Sequence, residues 1–126
     1  MALLETAQVG SDWLKVEDAS YRSRDTAIIA SGAGKLKTGT VLALVTATGK
    51  YVPAAATGAD GSQTATAVLF TAVDATSADQ KAVIVSRHAV VSHNGLTYGP
   101  TINDAAKRAA ANGQLKAAGI IVREGA

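Results

Sequence analysis

The chain of 126 residues contains no cysteine, which excludes disulfide bonds, thiolate metal sites and thiol nucleophiles. Aromatic residues are also scarce, at 4% of the chain, with one tryptophan, Trp13, and one phenylalanine, Phe70. No run of about 18 apolar residues occurs, so we expect no membrane span. The first ten residues lack the basic start and long apolar run of a signal peptide, and we expect synthesis in the cytoplasm without export.

Alanine is abundant, at 27 residues, and it leaves few large side chains to fill a core. Because little free energy remains after the loss of conformational entropy, a core of this kind should be only marginally stable. Burial of further surface against copies of the chain would offset this weakness, which is a first indication of an oligomer.

The charge pattern does not favour nucleic-acid binding. The formal net charge is +2, and the twelve basic residues are scattered without interleaved aromatics. A mixed, solvated surface explains this pattern, so we expect no direct contact with nucleic acid.

Short segments of β-branched and aliphatic residues, separated by glycine-rich turns, predict a domain built mainly of strands. The predicted strands are residues 26–30, 40–46, 50–52, 64–73, 82–91 and 120–122. Strand 40–46 is apolar on both faces and should be buried on both sides. Strand 82–91 is long, and we expect it to bend near residues 86–88.

After Pro100 the pattern changes to that of an alanine-rich helix. Asn103 is predicted to cap a helix over residues 104–111, and Asn112-Gly113 to end it. A second short turn is predicted at residues 114–118. The predicted fold class is α+β, mostly β: a small, compact, barrel-like domain with one or two short helices in its C-terminal half.

No recognisable catalytic or metal-binding pattern occurs. The segment Gly32–Lys35 lacks the spacing of a phosphate-binding loop. His88 and His93 stand without the further donors that a metal site needs. Ser62, His88 and Asp60 would supply the groups of a catalytic triad, but the surroundings of Ser62 favour a turn. We therefore predict no enzyme activity, no cofactor and no metal.

A carrier or small-molecule binding domain is the alternative. The apolar strand 39–45 and the hairpin after it resemble part of the barrel-sandwich domains that carry a lipoyl or biotinyl group on a lysine. The hairpin lysine here is Lys50, but Gly49 and Tyr51 flank it in place of acidic or methionine neighbours. This alternative predicts a covalent adduct at Lys50.

Residues 1–20 differ from the rest, because neither a helical nor an alternating pattern is sustained. Two interpretations remain open: a frayed terminus with Trp13 folded back onto the domain, and an extended arm that orders on a partner. The predicted division of the chain is an arm, residues 1–20, and a β-rich domain, residues 21–126.

Five strings carry a resemblance by their order and spacing: YRSRDTAIIASGAGKLKTGTVL, TGKYVP, ADGSQTATAVLF, VIVSRHAVV and KAAGIIV. Over about residues 20–123 the chain resembles the lambda-type head decoration, or capsid cementing, proteins of tailed bacteriophages. The resemblance implies a homotrimer that binds the major capsid protein on the outer surface of the expanded capsid. It also implies stabilisation of the shell against internal DNA pressure, with assembly in the host cytoplasm before the protein becomes part of the virion.

The same resemblance implies an N-terminal arm that becomes ordered on the capsid. An extended arm gains main-chain hydrogen bonds when it adds to a sheet edge. From their position and apolar character, the expected capsid contacts in residues 1–20 are Leu3, Leu4, Val9, Trp13 and Leu14. On this interpretation, deletion of residues 2–18 should leave a folded domain that no longer binds expanded capsids.

Overall fold

The computed structural model describes residues 13–17 and 23–123. In this part of the chain, ten strands and one α-helix form a closed five-stranded barrel, a three-stranded sheet and a two-stranded sheet. The strands are β1 (Leu14–Glu17), β2 (Arg24–Ile29), β3 (Gly34–Leu36), β4 (Val41–Val45), β5 (Lys50–Pro53), β6 (Ala65–Leu69), β7 (Val73–Ala75), β8 (Gln80–Val85), β9 (Ala89–Ser92) and β10 (Ile120–Arg123), and the helix is α1 (Ala105–Ala117). The predicted mostly β, barrel-like fold with a C-terminal helix is confirmed.

The barrel has the strand order β2-β5-β4-β6-β8 and closes through the pairing of β8 with β2. As predicted, β4 is apolar on both faces, and Val41, Leu42 and Ala43 are fully buried. The register between β4 and β6 shifts, because Leu42 lies opposite Ala67 whereas Ala43 lies opposite Ala65. Such a bulge bends a strand, which helps a small sheet to close on itself.

Two apolar clusters lie on the two faces of the barrel strands. One gathers side chains from all five barrel strands, with Leu42 and Leu69 among its largest buried members. The other combines the opposite faces of β4, β6 and β8 with α1 and the three-stranded sheet, and it contains Trp13 and Leu115. The alternation of side chains along a strand therefore supplies both clusters from the same few strands.

The predicted long strand 82–91 does bend, and the bend divides it between two sheets. β8 belongs to the barrel, whereas β9 is the central strand of the sheet β1-β9-β10. His88 lies at the corner with φ 54°, a left-handed conformation in which histidine is more frequent than most side chains. The predicted strand 64–73 was wrong in its extent, because β6 ends at Leu69 and the separate β7 pairs with β3.

The helix was predicted to end too early. It runs through Asn112-Gly113 to Ala117, and Gly119, with φ 92°, follows its end. The cap is Asp104 in place of the predicted Asn103, since the Asp104 side chain accepts a hydrogen bond from the Lys107 amide. Continuation of the helix buries Leu115, a gain that exceeds the cost of about 1 kcal/mol for an internal glycine.

Asp25 and Arg87 tie the end of β2 to the residues that follow β8. The Arg87 Nη2–Asp25 Oδ2 distance is 2.5 Å, and Ser86 Oγ donates to the same oxygen at 2.7 Å. The hydrogen bond from Arg87, followed by that from Ser86, lowers the pKa of Asp25. Since both partners are about half exposed, the pair makes only a modest contribution to stability.

Two glycine substitutions should change stability in opposite directions. Gly61 has φ 104°, and an added Cβ would lie 2.2 Å from the Leu44 carbonyl oxygen, so Gly61→Ala should cost about 2 kcal/mol or more. Gly113 lies within α1 with no heavy atom within 4 Å of an added Cβ, so Gly113→Ala should add roughly 0.5–1 kcal/mol. Urea denaturation of both variants measures the change, and equal effects of the same sign would contradict this account.

The Asp25 contact should also appear in the pH dependence of stability. A carboxyl group with a lowered pKa stabilises the folded state above its unfolded pKa, about 3.9, and loses that contribution as the pH falls through the folded value. We expect Asp25→Asn to narrow the difference in unfolding free energy between pH 6 and pH 3, because one acid-sensitive contact is removed. An unchanged difference in urea titrations at the two pH values would contradict this assignment.

Candidate functional site

The single tryptophan joins the N-terminal segment to the barrel. Trp13 is fully buried, and its indole Nε1 donates to Thr38 Oγ1 at 2.8 Å. The Thr38 hydroxyl in turn donates to the carbonyl oxygen of Leu69 at 3.5 Å. A hydroxyl can accept and donate at once, so this buried side chain links the indole to the end of β6.

The two scarcest aromatic residues of the chain meet at this point. The ring centroids of Trp13 and Phe70 lie 6.0 Å apart with an interplanar angle of 70°, an edge-to-face arrangement. The guanidinium carbon of Arg24 lies 4.0 Å from the centroid of Phe70. Each of these two contacts is typically worth about 0.5–1.5 kcal/mol. The indole is thus held by a hydrogen bond and by ring contacts from different strands.

Backbone pairing holds the residues that follow Trp13. β1 pairs antiparallel with β9, and β10 pairs with the other edge of β9 in parallel. The Ser92 amide donates to the Trp13 carbonyl oxygen at 2.7 Å, which extends the pairing to Trp13 itself. Residues 13–17 are therefore a fixed part of the domain, although they fall within the predicted arm of residues 1–20.

The predicted capsid contacts are found in different places. Trp13 is inside the domain, the folded-back arrangement that the sequence had left open, and Leu14 is half-buried against the same apolar cluster. The structure therefore brings these two residues together at an anchoring position. The other three predicted contacts, Leu3, Leu4 and Val9, lie outside the described residues.

The sequence contains a short signal for β1 that was not used. Leu14, Lys15, Val16 and Glu17 alternate between apolar and polar side chains, the pattern of a strand with one buried face. Four residues are too few to distinguish this pattern from chance, and the polar residues on both sides obscure it. The partner strand β9 lies more than seventy residues away, so local propensity alone does not reveal the pairing.

A groove of about 430 Å³ opens between residues 33–37 and residues 97–100. A parallel bridge between Thr40 and Thr97 joins the two sides. The side chains that make the groove mainly apolar are Ala33, Leu36, Pro53, Ala72, Tyr98 and Pro100. Exposed Lys35 and Lys37 also line it. Sequence patterns did not indicate this feature, because its two sides are separated by some sixty residues.

A polar cluster fixes Tyr98 in the wall of the groove. The Tyr98 hydroxyl donates to Asn112 Oδ1 at 2.5 Å and lies 3.0 Å from His93 Nδ1. Asn112 Nδ2 lies 3.1 Å from the same ring nitrogen. The cluster connects the turn after β9, the groove wall and α1, so the position of Tyr98 is set by three segments of the chain. His93 was predicted only as a turn residue.

Ser62, Asp60 and His88 do not form the triad that their residue types would permit. Ser62 donates from both Oγ, at 2.5 Å, and its amide, at 3.1 Å, to Asp60 Oδ1, and these bonds lower the pKa of Asp60. This is the local hydrogen bonding of a turn. His88 lies at the β8–β9 corner and is hydrogen-bonded to neither of them.

Lys50 has a structural position that does not favour the carrier alternative. It is the first residue of β5, opposite Val45 in the β4–β5 ladder. Its ammonium nitrogen lies 2.6 Å from Asp79 Oδ2, and Asp79 Oδ1 accepts a hydrogen bond from the Ser31 amide. A carrier lysine must leave the domain to reach other proteins, whereas this one ties three segments together.

Two kinds of site were also sought in residues 13–17 and 23–123. No group of three or more histidine or acidic side chains is placed to hold a metal ion there. No helix in this same part is long and apolar enough to cross a membrane.

These features define a class of protein: a small closed-barrel domain with an N-terminal segment anchored to it by a buried side chain and by strand pairing. A family model described as bacteriophage lambda head decoration protein D matches residues 3–120. The chain therefore belongs to this family of head decoration proteins, and membership implies association with the phage capsid. A search of curated proteins found no match.

The Trp13–Thr38 hydrogen bond should be measurable as a coupling energy. Thr38→Val leaves the indole N–H buried without an acceptor and should cost about 1–3 kcal/mol. Once Trp13→Phe has removed the donor, the same Thr38 substitution should cost less, so the double variant should be more stable than the sum of the single effects.

Urea denaturation followed by circular dichroism suits this cycle, since Trp13→Phe removes the only tryptophan. Thr40→Val is a control at a neighbouring buried threonine, whose hydroxyl donates to the Lys37 carbonyl oxygen. Thr40→Val should be additive with Trp13→Phe, and additivity at Thr38 as well would contradict the assigned role of the bond.

Proposed function

We propose that the protein is a structural virion protein that binds the outer surface of the expanded phage capsid as a homotrimer. In this role it stabilises the shell against internal DNA pressure and has no enzymatic step. The single observation that supports this proposal most is the family match over residues 3–120. The proposed partners are the major capsid protein and other copies of the chain.

The proposed capsid contacts lie in the first part of the arm. Leu3, Leu4 and Val9 provide apolar side chains, and an extended segment can add to a sheet edge of the capsid subunit. Trp13 and Leu14 have a different proposed task, because they anchor the arm to the domain. A contact made by the arm is useful to the shell only if tension passes from the arm into a folded body. The buried indole and the β1–β9 pairing provide that connection.

The proposed trimer agrees with the surface of the domain. The exposed side of α1 is made largely of alanine, which permits close approach of another chain. The exposed alanines of α1 are Ala105, Ala106, Ala109, Ala110 and Ala117. Three linked arms also bind more strongly than one, since binding of the first arm raises the effective concentration of the others. A closed three-fold assembly leaves no unpaired interface.

Deletion of residues 2–12 tests this proposal more sharply than deletion of residues 2–18, because the longer deletion removes Trp13 and β1. The shorter variant should keep the unfolding transition of the full chain but lose at least about tenfold in affinity for expanded capsids, as expected when several apolar side chains are removed from an interface. Co-sedimentation with expanded and unexpanded capsids measures binding, and light scattering measures the trimer.

A full-length variant with Leu3, Leu4 and Val9 replaced by serine separates side-chain contacts from backbone pairing. A variant with Lys116, an exposed residue near the end of α1, replaced by alanine serves as the control and should bind normally. Undiminished binding after the deletion would refute the role of the arm, and a monomeric mass on capsids would refute the trimer.

A further inference from the structure

The groove lies close to the point at which the N-terminal segment joins the domain. Thr38, which holds the Trp13 indole, is followed and preceded along the chain by groove-lining residues, among them Lys37 and Thr40. The seven residues 6–12 can span on the order of 25 Å. Residues 3–5 are therefore within reach of the groove of their own chain.

The charges and side chains of the two parts are complementary. Residues 1–12 contain Glu5 and Asp12 and no lysine or arginine. Lys35 and Lys37 at the groove are exposed, and neither forms an ion pair with a described carboxylate. The apolar pair Leu3-Leu4 precedes Glu5 directly, which matches a mainly apolar groove with two ammonium groups beside it.

The groove also has the form of a site for an extended segment. β3 pairs with β7 on one side, and no other strand of the described residues pairs with it. A strand with a free edge can accept an added segment through main-chain hydrogen bonds. The opposite wall is preformed, because His93 and Asn112 hold Tyr98 in place. A preformed site lowers the ordering cost of binding.

We propose that in the capsid-free protein residues 3–5 bind this groove of the same chain, with Leu3 and Leu4 against the apolar lining and Glu5 beside Lys35 and Lys37. The same chain is favoured over a second copy because a short tether gives an effective concentration in the millimolar range. A consequence, which rests on the proposed function, is that the capsid must compete with the groove for Leu3 and Leu4.

The absence of cysteine permits a clean disulfide test. Thr6→Cys, next to Glu5, is combined with Ala72→Cys in the groove lining. The control pair combines Thr6→Cys with Ala106→Cys, an exposed position on α1 outside the groove. A disulfide requires the two Cα atoms to approach within about 7 Å, so the rate of oxidation reports proximity.

The groove pair should close at least about tenfold faster than the control pair, within one chain and independently of protein concentration. Adding Lys35→Glu and Lys37→Glu should slow closure, and adding Glu5→Lys to that variant should restore it. Equal rates for the groove and control pairs would overturn the proposal. A product that links two chains and forms faster at higher protein concentration would also overturn it, in favour of a second copy.

Co-sedimentation with expanded capsids tests the competition with the same groove pair. The oxidised protein should bind less than the reduced protein, and reduction should restore binding. Equal binding of both forms would refute competition between groove and capsid. Absence of binding by the reduced form would refute the proposed function, whereas the oxidation rates would still decide the groove proposal by themselves.

Discussion

The hydrogen bond between the Trp13 indole and the Thr38 hydroxyl connects parts of the molecule that have no other reason to stay together. Trp13 precedes a strand of the three-stranded sheet, and Thr38 precedes a strand of the barrel. Both groups are buried, so each would be left without a partner if the sheet moved away from the barrel. The cost of an unpaired buried polar group therefore fixes the relative position of the two sheets more strictly than apolar contact alone, which tolerates sliding.

Much of the fold could be predicted from the sequence, because β-branched runs and glycine turns act locally. The buried strand β4, the hairpin to β5, the bend near His88 and the end of the helix before Gly119 all depend on nearby residues. The end of the helix at Asn112-Gly113 was wrong because a distant contact decided it: Asn112 is used by Tyr98 and His93, and Leu115 is needed in the core. The short strands β3 and β7 were missed because each depends on the other for its pairing.

The candidate site was less predictable than the fold. The sequence placed functional interest in residues 1–20, but it did not separate the anchored residues 13–17 from those before them. Trp13 looked equally suited to a partner and to the core, since a lone aromatic side chain in a weakly patterned segment satisfies both descriptions. The groove was invisible for a simpler reason. Its walls come from residues 33–37 and 97–100, and only the closed barrel places them side by side.

The three-stranded sheet has a geometrical consequence for the ends of the described chain. Leu14 at the start of β1 and Val122 near the end of β10 both lie opposite Val91, on either side of it. Two strand spacings separate them, about 10 Å. The chain therefore arrives at and departs from the domain at neighbouring points of one sheet. A polypeptide fused after Arg123 would begin beside the arm, and its bulk would crowd whatever surface the arm grips.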